Sequence, residues 1–142
     1  MTGSGERVIE HTLRIAAAPA TVWQFWVDPA RIATWWGVAT LLEPESGGAY
    51  RVEIPTGSVM VGEFVELVPY ERIVFLFGWQ GVAADEPLSG RSTRVGVRLA
   101  AEGTGTLLTL RHSGLPEARL GDHRRGWVDH LAVLARNAST AW

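Results

Sequence analysis

The chain has 142 residues, 46% apolar and 20% charged, with 13 basic residues against 15 acidic ones and a formal net charge of −2. That length suits one domain, and the charges form no basic run or stripe of the kind a nucleic-acid partner requires. The absence of Cys removes disulfides, thiolate metal sites and Cys nucleophiles, and no apolar run approaches the roughly 20 residues of a membrane span.

Met1 to Glu6 is rich in Gly and Ser without an apolar core, which reads as a flexible tail and not a secretion signal, leaving residues 7–142 as a single domain and the cytoplasm as the default compartment. All 13 basic residues are Arg, a mark of a GC-rich, bacterial genome and not of a clustered anion site. Asn137-Ala138-Ser139 matches a glycosylation sequon, which without a secretory route is a chance match.

From Arg7 to Ala16 the sequence alternates, with Ile9, His11, Leu13 and Ile15 on one side, as a half-buried strand does. Pro19 and the run Ala20 to Val27 predict a short helix with Pro in its first turn, poorly capped by Ala18. Asp28-Pro29 supplies a better cap and opens a second short helix ending near Trp36-Gly37. From Val38 the period changes to two. Strands are predicted over Thr40 to Pro44, Ala49 to Ile54, Val59 to Val68, Arg72 to Trp79, Thr93 to Ala101 and Gly105 to His112, separated by Gly- and Pro-containing turns. Gln80 to Ser92 forms a longer polar loop. Last comes a helix from Asp122, its expected cap, to Thr140, about 28 Å long. Leu120, Trp127, Leu131, Leu134 and Ala138 fall along one of its faces.

Seven strands must bury one face, and one long amphipathic helix is the cover available. The expected fold is therefore α+β, a curved seven-stranded antiparallel sheet wrapped around a C-terminal helix, with two short helices after the first strand. Side chains do not automatically fill the space inside such a bent sheet, so a pocket for a small hydrophobic molecule follows from the geometry. Strand alternation and the helix face place Trp36, Tyr50, Met60, Phe64, Phe75, Phe77, Trp79, Val95, Leu108, Leu110, Trp127, His130, Leu131 and Leu134 around it as candidate ligand-binding residues. The same residue types fill plain cores, so packing on each other is the competing reading. Of Trp35 and Trp36, one is expected to be structural and the other to roof the cavity entrance.

His112, His130, Asp129, Glu53 and Glu63 are the groups available for acid/base work, His130 being the best placed for a polar contact in the pocket. No catalytic set is legible, since nothing marks a nucleophile turn. Metal binding is not expected. His123 and His130 stand seven apart on the helix, where chelation needs about four, and His11 and His112 meet only if the sheet pairs them. No cofactor is implied.

Several segments are similar, in order along nearly the whole chain, to the START/Bet v 1-like (SRPBCC) superfamily, and in particular to its bacterial group named after the activator of the Hsp90 ATPase. They include Ala18-Pro19-Ala20-Thr21-Val22-Trp23, Asp28-Pro29, Trp35-Trp36-Gly37 and Gly47-Gly48-Ala49-Tyr50-Arg51. Further on come Gly62-Glu63-Phe64-Val65-Glu66, Pro69 to Phe75, Gly105 to His112 and Gly126-Trp127. The resemblance implies a helix-grip fold with a ligand cavity, but no single function, because members include lipid and hormone binders, polyketide cyclases, co-chaperones and enediyne self-resistance proteins. Binding of a small apolar or aromatic molecule is the leading expectation. A cyclase/aromatase-like enzyme, for instance with His130 facing Glu63, a co-chaperone-like interaction protein and a natural-product self-resistance protein are the alternatives. The chain is expected to be a monomer or a weak homodimer.

Overall fold

The structure, a computed structural model, describes residues 8–83, 86 and 88–140; the tail expected over Met1 to Glu6 lies outside the described residues. The first strand, β1 (Val8–Ile15), buries Ile9 and Ile15 and leaves Glu10, Thr12 and Arg14 outward, as its alternation dictates. Two short helices follow, α1 (Pro19–Val27) and α2 (Pro29–Ile32). Ala18 gives α1 no side-chain cap, whereas an Asp28 carboxylate oxygen accepts from the backbone N–H of Ala30 at 3.1 Å and opens α2. Asp28→Ala is expected to cost about 1 kcal/mol, the usual worth of an N-cap, read from denaturant midpoints.

Six strands then run β2 (Val38–Leu42), β3 (Ala49–Glu53), β4 (Val59–Val68), β5 (Arg72–Phe77), β6 (Thr93–Glu102) and β7 (Gly105–Ser113). The sheet order is β1-β7-β6-β5-β4-β3-β2, antiparallel throughout. The chain thus crosses from one edge of the sheet to the other through α1 and α2, then returns strand by strand until β7 pairs with β1. Register shifts at Ala39/Leu41 and Phe64/Glu66 bend the strands that carry them. The tight turn before β4 needs a left-handed residue, and Gly57, at φ +97°, supplies it.

A 3₁₀ turn (Glu117–Arg119) leads into α3 (Leu120–Ala138), which packs against β1 and α1. Trp127, Leu131, Leu134 and Ala138 form its buried face. Three sequence expectations are corrected here. Asp122 is not the cap. The helix begins two residues earlier, and Asp122 sits in its first turn, paired with Arg125 at 2.6 Å and Arg119 at 3.9 Å, where a negative charge suits the helix dipole. The fifth predicted strand stops at Phe77 and not Trp79, because Gly78 packs directly against the backbone of Ser89 and Trp79 bridges to Met60 and Ser89 outside the ladder. The second strand also begins at Val38 and ends at Leu42. The result is an α+β helix-grip fold, a curved seven-stranded sheet closed on one long helix with two short helices after the first strand.

Much of the inner face is solid. Trp26, Tyr50, Phe25, Phe64 and Phe75 are among the largest side chains with essentially no exposure. Tyr50 stacks on Phe64 with centroids 4.3 Å apart and meets Phe75 edge-on at 4.9 Å. Its hydroxyl donates to the Trp26 carbonyl at 2.8 Å, tying β3 to the last turn of α1, and burial pushes its pKa up. Trp26 Nε1 is the buried side-chain polar atom without a partner among the described residues, so its burial rests on ring contacts with Trp35, Trp36, Phe75 and Trp127.

Candidate functional site

At the N-terminal half of α3 the packing opens into a cavity of about 250 Å³. Its walls are Phe77 and Trp79 from the sheet side, Trp127 from the helix, Trp36 from the turn after α2, and Ile54. His123 and His130 also line it, and Arg119 and Asp122 are its exposed, charged rim. The last lining residue, Gly126, explains why the space exists. A Cβ built on Gly126 meets no atom within 4 Å, so the helix leaves out a side chain where the cavity lies. A glycine inside a helix is less favourable than alanine by about 1 kcal/mol, so this position gives up local stability for open volume.

The polar groups around the cavity are held in a defined protonation pattern. Trp127 Nε1–H donates to His112 Nδ1 at 3.0 Å, and an indole nitrogen can only donate, so that imidazole nitrogen is an acceptor. His112 therefore carries its proton on Nε2 and donates to Thr93 Oγ1 at 2.8 Å, which in turn donates to the Phe77 carbonyl at 2.7 Å. The chain is fully satisfied, buried and neutral. Desolvation, with a smaller contribution from His123, pushes the His112 pKa down to about 3.

The same logic holds for His123. Its Nδ1 bonds the Arg119 carbonyl at 2.9 Å and so carries the proton, while its Nε2 accepts from Trp79 Nε1–H at 3.1 Å. Burial moves its pKa below the ordinary value. The Trp79–His123 pair stands between the cavity and another, more polar depression of about 490 Å³ that also involves Gln80, Glu86 and Leu88, with Trp79, Arg119 and His123 shared between the two.

His130 Nδ1 donates to the Trp35 carbonyl at 3.0 Å, and seven residues along the helix Asn137 Nδ2 donates to the Thr34 carbonyl at 2.9 Å. Together they pin the turn that carries Trp35 and Trp36 onto α3. Trp35 Nε1 donates to the Phe25 carbonyl at 2.6 Å, which makes it the structural member of the pair. Trp36 faces the cavity.

Of the fourteen residues placed around the pocket from sequence, Trp36, Phe77, Trp79, Trp127 and His130 line the cavity. Tyr50, Met60, Phe64, Phe75, Val95, Leu108, Leu110, Leu131 and Leu134 are buried away from its wall, packed in the core cluster. The suggested pairing of His130 with Glu63 is not formed. Glu63 points to the outer face of β4, 3.7 Å from Arg91. Asp129 and Glu53 are exposed, and β1 pairs Ile9, not His11, with His112. Gly126, Ile54 and His123 complete the wall and are not among those fourteen, His123 being considered from sequence only as a metal ligand and Gly126 only as part of the Gly126-Trp127 segment. The open helix position at Gly126 is the signal that could find them, since a glycine one residue before an inward Trp interrupts an otherwise continuous face.

A family model described as Activator of Hsp90 ATPase homolog 1-like protein matches residues 16–139. None of the curated proteins matches the sequence. Among solved structures, the AHSA1-like protein RHE_CH02687 from Rhizobium etli is 38% identical, with a TM-score of 0.71 over 94% of this chain and 82% of that one. CV1439 from Chromobacterium violaceum is 26% identical, with a TM-score of 0.79 over 96% of this chain and 99% of that one. DynU16, a protein in the dynemicin biosynthetic locus, is 26% identical with a TM-score of 0.81 over 94% of this chain, which spans only about half of it (48%). With the match running from the end of β1 to the end of α3, this chain belongs to the Activator of Hsp90 ATPase homolog 1-like family.

Proposed function

We propose that the chain binds a compact apolar or aromatic molecule in the cavity between Phe77 and Trp79 on one side and Trp127 and Gly126 on the other. The carrying observation is an aromatic-walled space of about 250 Å³ kept open by a helix glycine. An apolar cavity of about 150 Å³ is enough for benzene, while drug-sized ligands occupy about 300 Å³ or more, so one or two rings is the fitting size. Binding without reaction is favoured because His112 and His123 are engaged through both ring nitrogens and Asp122 with two arginines, which leaves a single imidazole nitrogen, His130 Nε2, and no proton-transfer pair among the described residues of the wall. The likeness to a protein of a biosynthetic locus supports a natural-product fragment as the physiological occupant.

Filling the cavity from the helix tests this reading. Gly126→Ala is expected to raise the melting temperature by about 2–4 °C, from roughly 0.5–1 kcal/mol of helix propensity. Gly126→Leu is expected to keep the fold, because its side chain enters empty space, and to abolish binding of naphthalene or indole measured by equilibrium dialysis. Unchanged binding in Gly126→Leu would move the ligand elsewhere.

A further inference from the structure

Two ring nitrogens around the cavity have no partner among the described residues. His112 and His123 each use both nitrogens, and the indole N–H groups of Trp79 and Trp127 are spent on those two histidines. His130 uses only Nδ1, on the Trp35 carbonyl. In the neutral ring that leaves Nε2 as an acceptor with no donor among the described residues. The indole N–H of Trp36 likewise meets no acceptor among them. Both residues belong to the wall of the cavity.

An aromatic surface with one leftover acceptor discriminates sharply between ligands. A ligand hydroxyl carried into such a space without a partner loses its hydrogen bonds to water, and a ligand lacking the hydroxyl leaves the protein acceptor unpaired instead. Resting on the binding reading above, we propose that the cavity selects a hydroxylated one- or two-ring aromatic, of the phenol or naphthol class. Its O–H donates to His130 Nε2, and the Trp36 N–H is available to the ligand's oxygen or to a further acceptor. The rings lie among Phe77, Trp79 and Trp127. His130 is thereby a specificity residue as well as the clamp on the Trp35 turn.

The test compares 2-naphthol, 2-methoxynaphthalene and naphthalene by equilibrium dialysis against the full chain and two variants. His130→Asn keeps an N–H able to reach the Trp35 carbonyl and removes the other ring nitrogen; His130→Phe removes both. The wild-type chain is expected to prefer naphthol by about tenfold or more, the worth of one buried hydrogen bond. That preference is expected to vanish in both His130→Asn and His130→Phe, read as the ratio of naphthol to naphthalene affinity within each variant. Equal binding of all three probes to the wild type would overturn the inference and leave the aromatic-binding reading standing. A preference that survives in His130→Asn would overturn the role of His130. Failure of every probe to bind would take down the underlying reading itself.

Discussion

Lowering the pH from 6.5 to about 4.5 is expected to cost the folded chain about 2–3 kcal/mol through His112 alone. The unfolded chain takes up a proton at this histidine near pH 6.5, whereas the folded chain resists until about pH 3. Between those values the unfolded state binds more protons, so stability falls as pH falls, by about 1.4 kcal/mol per pH unit. The stabilisation is fully present above pH 6.5 and is lost as acid is added, the sign expected for a histidine held neutral. The groups facing His112 reinforce the effect. Trp127 Nε1–H occupies the nitrogen a proton would need, Thr93 takes the other, and the neighbouring titratable ring, His123, lies 5.9 Å away and repels a further charge. His123, also shifted downward, adds loss of the same sign. Urea midpoints at a series of pH values, wild type beside His112→Gln, separate this from carboxylate titration. The variant is expected to start less stable and to show a visibly flatter decline. Parallel curves would mean that His112 is not held neutral.

The fold is legible in the sequence because its determinants are local and periodic. Two-residue alternation in β3 through β7 marks the inward face correctly, and Tyr50, Val52, Met60, Phe64, Val95, Val97, Leu99, Leu108 and Leu110 are all buried. What alternation lacks is depth. It tells that Phe75 and Phe77 share a face, but not that Trp26 and Tyr50 fill the space beside Phe75 while Phe77 shares an open cavity with a helix glycine. Whether an inward aromatic is core or pocket wall depends on what the short helices and α3 bring opposite it, a long-range matter. The histidine protonation pattern is hidden for the same reason. Its partners are contributed by β5, β6, β7, the segment following β5 and α3, and no spacing in the sequence connects Trp127 with His112 or Trp79 with His123. Helix ends are least legible where a competing local structure intervenes, as at the 3₁₀ turn that starts α3 ahead of Asp122.

Trp127 joins these layers, and removing its ring is expected to have the largest effect of any single truncation at the site. It is 4% exposed, lines the cavity, donates to His112, and contacts the rings of Trp26, Trp36 and Phe77 at centroid distances of 6.4, 5.5 and 6.0 Å. Trp127→Ala loses the burial of the indole, leaves a void and strands the His112 acceptor, for an expected loss of about 3–5 kcal/mol. Trp127→Phe keeps most of the apolar contact but not the N–H, so its expected loss is about 1–3 kcal/mol, the cost of one buried acceptor left unpaired. The difference between the two variants separates packing from hydrogen bonding. Affinity for a two-ring aromatic is expected to drop tenfold or more in Trp127→Ala, measured below that variant's melting point, because one wall of the cavity loses its contacts. In Trp127→Phe the wall remains and the affinity is expected to stay within a few-fold of wild type. Melting of Trp127→Ala at the wild-type temperature would mean that this ring does not bridge sheet and helix.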